Sequence, residues 1–518
     1  MNPTGTESVA GPRATRREWI GLAVIALPCL LYSMDLNVLN LAIPHLTADL
    51  HPTSTQLLWI VDVYGFLLAG FLITMGTLGD RIGRRRLLMI GAAAFGAASV
   101  LAAFATSAAM LIAARAVLGV AAATLAPSTL SLIRNMFLDP RERTMAIGVW
   151  VGCFSAGSVV GPIVGGILLE HFWWGSVFLI AVPMMVLLLI LVPLLLPEYR
   201  DPQAGKLDIV SALLATATVL LMIFGVKHWA IYGIALLPLA SIAASILLGT
   251  LFVRRQRRLE DPMIDLRLFR RPVFSAALSV NIIGIFAAFG SFLFITQYLQ
   301  LVRGMGPFEA GMWLVPAGVV FVIGSFMAPF LVRRYAPGTV LTCGFLITSL
   351  GYVVLAQVHA DSGLWVVVLG FLLFCSGLAP MGTLTTDLVM SDVPPERAGA
   401  ASGISETSFE FGAALGVAVL GSIVGASYRT SLAAGALDTL DPQVLATARE
   451  TLGAALAVAL TLDDTARQTL EITARDAFTR GFNLAAFVSA LLGLLAAFVC
   501  FRFMRRHGRS PAAAPPTA

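Results

Sequence analysis

Apolar, nearly uncharged stretches of about 20 residues recur along the chain, separated by short polar or basic connectors. They run at 20–43, 55–78, 87–107, 109–133, 144–169, 174–196, 207–226, 231–253, 273–299, 309–332, 338–358, 364–388, 399–425 and 480–501. Each suits a helix across a hydrocarbon core about 30 Å thick, where a helix satisfies its own backbone hydrogen bonds. The pattern predicts an all-α polytopic membrane protein of fourteen spans, numbered here in chain order. One long connector, 427–477, interrupts it near the end. There Asp441-Pro442 opens a helical pattern to about Leu460, Leu462-Asp463-Asp464 breaks it, and a second pattern runs to about Phe478. This predicts an external helical hairpin.

Composition agrees: 58% of the 518 residues are hydrophobic and 12% charged, about half the charge of a soluble domain. A net charge of +5 would admit a nucleic-acid partner, but the basic residues collect in alternate connectors. Arg81, Arg84, Arg85 and Arg86 follow span 2, Arg141 and Arg143 follow span 4, and seven arginines lie between spans 8 and 9. Arg502, Arg505, Arg506 and Arg509 close the chain, while the opposite short loops hold only Lys227 and Arg303. The positive-inside rule then puts both termini in the cytoplasm, and nucleic acid is not a partner. The first span is too long for a signal-peptide core and is expected to stay uncleaved. The five cysteines stand singly in apolar segments, which gives no disulfide or metal site. The two lysines, Lys206 and Lys227, lie in no phosphate-binding loop, and no hydrolase or zinc motif appears. An ATP-driven pump and a membrane enzyme are thereby set aside, and no cofactor is expected.

Charges inside a membrane are costly and by default mark a pathway. They are Asp35 in span 1, Asp62 in span 2, Arg115 in span 4, and Glu406 and Glu410 in span 13. At 1.5 Å per residue the first three fall roughly 10–14 Å below the external surface, where one polar cluster can hold them. Glu406 and Glu410 share a helix face, roughly 13–20 Å from the cytoplasmic side. Burial disfavours a carboxylate's charge, and a nearby arginine restores it. Such acids suit exchange of a proton for an organic cation, although a static Asp35–Arg115 pair and a merely pore-lining Asp62 fit the same residues. Tyr32, Trp59, Tyr64, Phe289, Phe292, Tyr298 and Phe409 are available to stack on a cation, with Gln297 and Asn281 as polar neighbours.

Several strings carry a resemblance. Span 5 contains Gly157-x-x-x-Gly161-Pro162-x-x-Gly165-Gly166, a small-residue face for close helix packing with a proline that bends it. The turn after span 2 reads Gly76-Thr77-Leu78-Gly79-Asp80-Arg81-Ile82-Gly83-Arg84-Arg85-Arg86. Span 1 carries Met34-Asp35-Leu36-Asn37, span 2 Trp59-Ile60-Val61-Asp62-Val63-Tyr64, span 4 Arg115-x-x-x-Gly119, and span 13 Glu406-x-x-x-Glu410-x-Gly412. Together these resemble the major facilitator superfamily, in its fourteen-span drug:proton antiporter branch of QacA/SmvA-like quaternary-ammonium exporters. Leu118 and Ala181 stand where that pattern has glutamine and asparagine, and Gly318–Phe321 lacks the span-10 acid linked to dications.

The resemblance implies two six-helix bundles plus two inserted helices. The expected layout is 1–19 cytoplasmic, 20–200 the N-terminal bundle, 201–258 the inserted spans, 259–504 the C-terminal bundle with the 427–477 hairpin, and 505–518 a disordered tail. It implies proton coupling through Asp35, Asp62, Arg115 and Glu406. Substrate binding falls to Glu406, Glu410, Asp62, Trp59, Tyr64, Tyr32, Phe289, Phe292, Gln297 and Phe409. Conformational roles fall to the span-5 glycines with Pro162 and to Gly79, Asp80, Arg81, Gly83, Arg84 and Arg85, which latch the bundles in an outward-open state. The implied partners are lipophilic cations, protons and membrane lipid, handled by a monomer in the bacterial inner membrane. An exporter of an endogenous metabolite, lipid or antibiotic, or a non-transporting scaffold, is the alternative.

Overall fold

The computed structural model describes residues 13–200, 208–232, 235–260, 262–433 and 440–504. The predicted tail 505–518, residues 1–12 and Lys206 lie outside the described residues. Within them the chain is helical, without strands. The first bundle holds α1 (Arg16–Leu50), α2 (Ser54–Ile82), α3 (Arg84–Ala103), α4 (Ala108–Met136), α5 (Pro140–His171), α6 (Ser176–Leu179) and α7 (Ala181–Leu195), the last two forming one span. Then come α8 (Ile209–Tyr232) and α9 (Leu236–Gln256). The second bundle holds α10 (Pro272–Gln297), α11 (Pro307–Leu331), α12 (Pro337–Leu355), α13 (Leu364–Ser391), α14 (Ala398–Ala433) and α17 (Asp464–Val499), with the short α15 (Pro442–Ala448) and α16 (Leu452–Ala459) before α17. Thirteen candidate spans are found among the described residues, and the 32-residue α5 stands where span 5 is predicted. This is two six-helix bundles with two inserted helices.

Helices start where the sequence supplies caps. Thr15 and Thr53 form capping boxes with Glu18 and Gln56, and Asp139 caps α5 with Pro140 in the first turn. Asp208 does the same for α8, accepting from the N–H groups of Val210 and Ser211. The Arg255 fork of α9 binds it at 2.8 and 3.0 Å, which holds the carboxyl down at about 2.

The inserted α8 lies antiparallel on α2, meshing one turn at a time. Thr216 meets Thr74 at 3.3 Å, Leu220 fills the space over Gly70, Ile223 packs with Phe66, and Lys227 reaches Asp62 at 2.6 Å. Lys227 is thus no loop residue, as the charge pattern suggested. Its charge is matched by Asp62 and its ammonium lies on the Phe66 ring at 4.7 Å, so the helix runs on past it.

On α5, a Cβ added at Gly157 would come 2.4 Å from the Leu30 carbonyl oxygen, and one at Gly161 3.1 Å from Met34 Cα. At Gly165 it would meet Val38 at 2.7 Å, whereas Gly166 faces open space. The glycine face therefore packs on α1 within its own bundle. The contact with the other bundle uses Gly148 and Gly152, against Pro329 and Phe326 of α11. Pro162, expected to bend this helix, lies inside α5, which is one helix from Pro140 to His171.

The predicted hairpin differs in both arms. The first is two short helices, α15 and α16, parted at Arg449–Thr451, and the second is the opening of α17 rather than a separate helix. Asp463 caps that helix, and the Arg467–Glu471–Arg475 pairs at i,i+4 carry it through its charged start.

Candidate functional site

Gly119 in α4 lets that helix lie directly on α2: a Cβ there would sit 2.5 Å from the Tyr64 carbonyl oxygen. One turn earlier, Arg115 is thereby laid over the Tyr64 ring at 4.9 Å and reaches Asp35 of α1 at 3.5 Å. Arg115 is 1% exposed, yet its Nε and the Tyr64 hydroxyl have no hydrogen-bond partner among the described residues. A guanidinium offers five donors, so this pair is loosely held and not a fully satisfied structural bridge.

From Tyr64 a line of rings crosses the molecule. Tyr32 of α1 lies 6.4 Å from Tyr64 and 5.2 Å from Phe154 of α5. Phe154 meets the Phe409 edge at 5.8 Å, and Phe409 meets Phe289 of α10 at 5.6 Å. These separations suit edge-to-face and tilted packing. The line begins in the first bundle and ends in the second, and the α14 acids flank it. The Tyr32 hydroxyl donates to Glu410 Oε1 at 2.5 Å, across the two bundles. Glu406, one turn away and half-buried, has no hydrogen-bond or ion-pair partner among the described residues. Ser408, on the opposite side of α14 from both acids, accepts a 2.9 Å hydrogen bond from Asn281 of α10.

The residues predicted for one polar cluster separate. Asp35 and Arg115 meet, but Asp62 is held by Lys227 from the inserted helix, because α2 turns that side toward α8. Tyr32, Tyr64, Phe289 and Phe409 join the ring line. Trp59 is 43% exposed and packs against Phe66, and Phe292 pairs with Phe371 of α13. Gln297 is half-buried, and the Tyr298 hydroxyl donates to the His359 carbonyl, away from the acids.

The predicted latch residues gather where α2 ends and α14 begins. Asp80 accepts from the N–H groups of Gly399 and Ala400, each at 3.0 Å. Its partner Arg84, paired at 2.8 Å, also donates to the carbonyls of Pro395 and Glu396. Gly79 packs on Leu87, and Gly83, at φ +108°, leaves room for Glu198. Glu198 caps α3 through the Arg85 N–H at 3.0 Å and ties that turn to the end of the first bundle. Arg81 is half-buried at the last turn of α2.

Sequence reasoning missed Phe154, Lys227, Arg134, Arg143 and Asp387. Arg143 and Thr144 of α5 bind the Asp387 carboxylate of α13 at 3.0 and 2.6 Å. Arg134 donates to the Met390 carbonyl at 2.9 Å. The turn after α11 carries Arg333 and Arg334 with no acid beside them in the sequence, and the second tie between the bundles comes from α13. Asp387 is the one acid within its span, which was the available signal.

Residues 25–417 match the family model described as Major Facilitator Superfamily. The chain is 43% identical over 502 residues to the multidrug efflux pump LfrA of Mycolicibacterium smegmatis, covering 97% of this chain and 99% of that one. It is 34% identical over 504 residues to the methyl viologen resistance protein SmvA of Salmonella typhimurium, at 95% and 100% coverage. In three dimensions it resembles the human organic anion transporter MFSD10, with a TM-score of 0.61 at 15% identity, covering 93% and 99% of the two chains.

Proposed function

The chain belongs to the Major Facilitator Superfamily, and from that premise we propose that it is a proton-coupled antiporter exporting lipophilic cationic drugs, dyes and quaternary-ammonium compounds. It is an integral membrane transporter and not an enzyme. Relatives named for multidrug efflux and methyl viologen resistance support a cationic cargo. The proposed setting is the bacterial cytoplasmic membrane with both termini inside, the working unit a monomer in lipid, and the drive a proton gradient without cofactor.

The observation that carries this reading is the ring line from Tyr64 to Phe289 with Glu410 beside it, and Glu406, which has no partner among the described residues. Aromatic faces and a carboxylate in a desolvated site hold an organic cation. A carboxylate without a basic partner there is stable only with a proton or a cationic guest. The cycle follows from that competition. The cation binds beside Glu406 and Glu410 when the site faces inward and the acids have lost their proton. Closing the Asp80 and Asp387 contacts turns the site outward, and protons arriving from outside release the cation. The loose Asp35–Arg115 pair supports a proton-handling role, because protonating Asp35 breaks one weak contact only.

Ethidium uptake into everted vesicles containing the protein tests this. Uptake should follow an imposed pH gradient and collapse with a protonophore. Vesicles that show no gradient-dependent uptake of ethidium or any quaternary-ammonium dye would refute it, and competition by candidate metabolites would favour a metabolite exporter.

A further inference from the structure

The Asp62–Lys227 contact has the chemistry of an occupied ammonium site. A primary ammonium sits 2.6 Å from a carboxylate and 4.7 Å from the centre of an aromatic face, the arrangement that also holds an organic cation. The occupant is tethered and not sealed in, since the Lys227 side chain is 35% exposed and Asp62 19%. Its tether is the inserted helix α8, which packs on both α2 and α14. Ile223, one turn before Lys227, lies in a cluster with Phe66 and Ala69 on which Ala414 of α14 also packs. Among the described residues the charged group in contact with Lys227 is Asp62 from α2. On its own helix, His228 turns to Phe224, ring to ring at 3.8 Å.

We propose that Asp62 and Phe66 form a second organic-ammonium subsite, and that Lys227 is its built-in occupant, displaced when a cationic substrate arrives. This rests on the reading of the chain as a cation exporter, and it assigns the inserted helices a direct part in substrate selection. A cation that moves from the Glu406–Glu410 face toward Asp62 exchanges places with Lys227. When it leaves, the lysine returns to Asp62 and opposes re-entry. Selection thus works as a competition between two ammonium groups for one carboxylate.

The sequence provides an unusual handle, because Lys206 and Lys227 are its only lysines. The intact protein in lipid nanodiscs is treated with an amine-acylating reagent, with and without saturating ethidium, and labelling is read by peptide mass spectrometry. Displacement predicts a severalfold rise in Lys227 labelling relative to Lys206 when ethidium is bound. Unchanged or reduced labelling of Lys227 would overturn the proposal. In parallel, Lys227→Met should tighten ethidium binding by about tenfold, an ion-pair energy between the exposed and buried cases. The gain should disappear in Asp62→Asn/Lys227→Met, which leaves no unpaired charge to unfold the protein. A gain that persists in the double variant also counts against it. Wild-type protein that neither binds nor exports ethidium would remove the functional reading itself, and this proposal with it. Normal export with an unresponsive Lys227 removes the proposal alone.

Discussion

The Asp80 carboxylate of α2 accepts the Gly399 N–H of α14 at 3.0 Å, across 319 residues of sequence. Its other oxygen takes the next N–H, that of Ala400, so one acid caps the first turn of a helix in the opposite bundle. This is the favourable place for a negative charge, beside the free N–H groups and positive end of a helix. The approach is possible because Gly76 and Gly399 face each other without side chains: a Cβ at Gly399 would sit 2.3 Å from the Gly76 carbonyl oxygen.

Asp80→Asn and Gly399→Ala should therefore weaken the closure of that side by different routes. The first removes the charge, and the second pushes the helices apart. A charge-assisted hydrogen bond contributes about 1.5–3 kcal/mol, enough to shift an open–closed ratio by about tenfold or more. Distances between spin labels on α3 and α14 report the populations. Distributions identical to wild type in both variants would show that Asp80 does not hold the bundles together.

The Arg143–Asp387 bridge makes a second, independent closure between α5 and α13. Asp387→Ala leaves Arg143, which is almost buried, without its partner, a loss of about 3–5 kcal/mol for a buried pair. Export should fall sharply in Asp387→Ala. Arg143→Asp/Asp387→Arg should recover part of it, since the pair would be rebuilt with its polarity reversed. Recovery no better than the single variant would mean that Thr144, also bound to Asp387, sets the geometry.

The helical class, the spans and the rare charges within them were legible because each follows from composition along one segment. Apolar runs gave the helices, and the rarity of charge made Asp35, Arg115, Glu406 and Glu410 conspicuous. What escaped depends on which helix lies beside which. Asp62 and Arg115 are at similar depth, yet α2 turns Asp62 to α8 and Tyr64 to α4. Phe154 lies in an ordinary apolar run, and only its place between Tyr32 of α1 and Phe409 of α14 makes it the bridge of the ring line. The glycine string of α5 was read correctly as a close-packing face, but a string does not say that its partner is α1 of the same bundle.

Gly157 and Gly166 belong to that same string and should respond differently. A methyl at Gly157 collides with the Leu30 backbone, which has no rotamer to yield, whereas at Gly166 it meets nothing within 4 Å. Gly157→Ala is expected to cost about 1–3 kcal/mol by overpacking and to lower the thermal midpoint in detergent. Gly166→Ala should leave stability and transport close to wild type. Equal effects at the two positions would mean that the string acts through backbone flexibility and not through the fit against α1.

Glu406 and Glu410 sit one turn apart, but among the described residues only Glu410 has a hydrogen-bond partner, the Tyr32 hydroxyl. Glu410→Gln keeps an acceptor for Tyr32 while losing the charge, so it should raise the apparent KM for a monocation by about tenfold, the equivalent of one charge-assisted contact, with a smaller rise in Tyr32→Phe. Glu406→Gln should act on coupling. Without its titratable carboxyl, the variant should still exchange labelled ethidium down its gradient, but uphill export should stop and the exchange rate should lose its pH dependence. The two assays, exchange and gradient-driven uptake in the same vesicles, separate these roles. If Glu406→Gln retains uphill export, the remaining acids carry the proton, and Glu406 is a substrate ligand only.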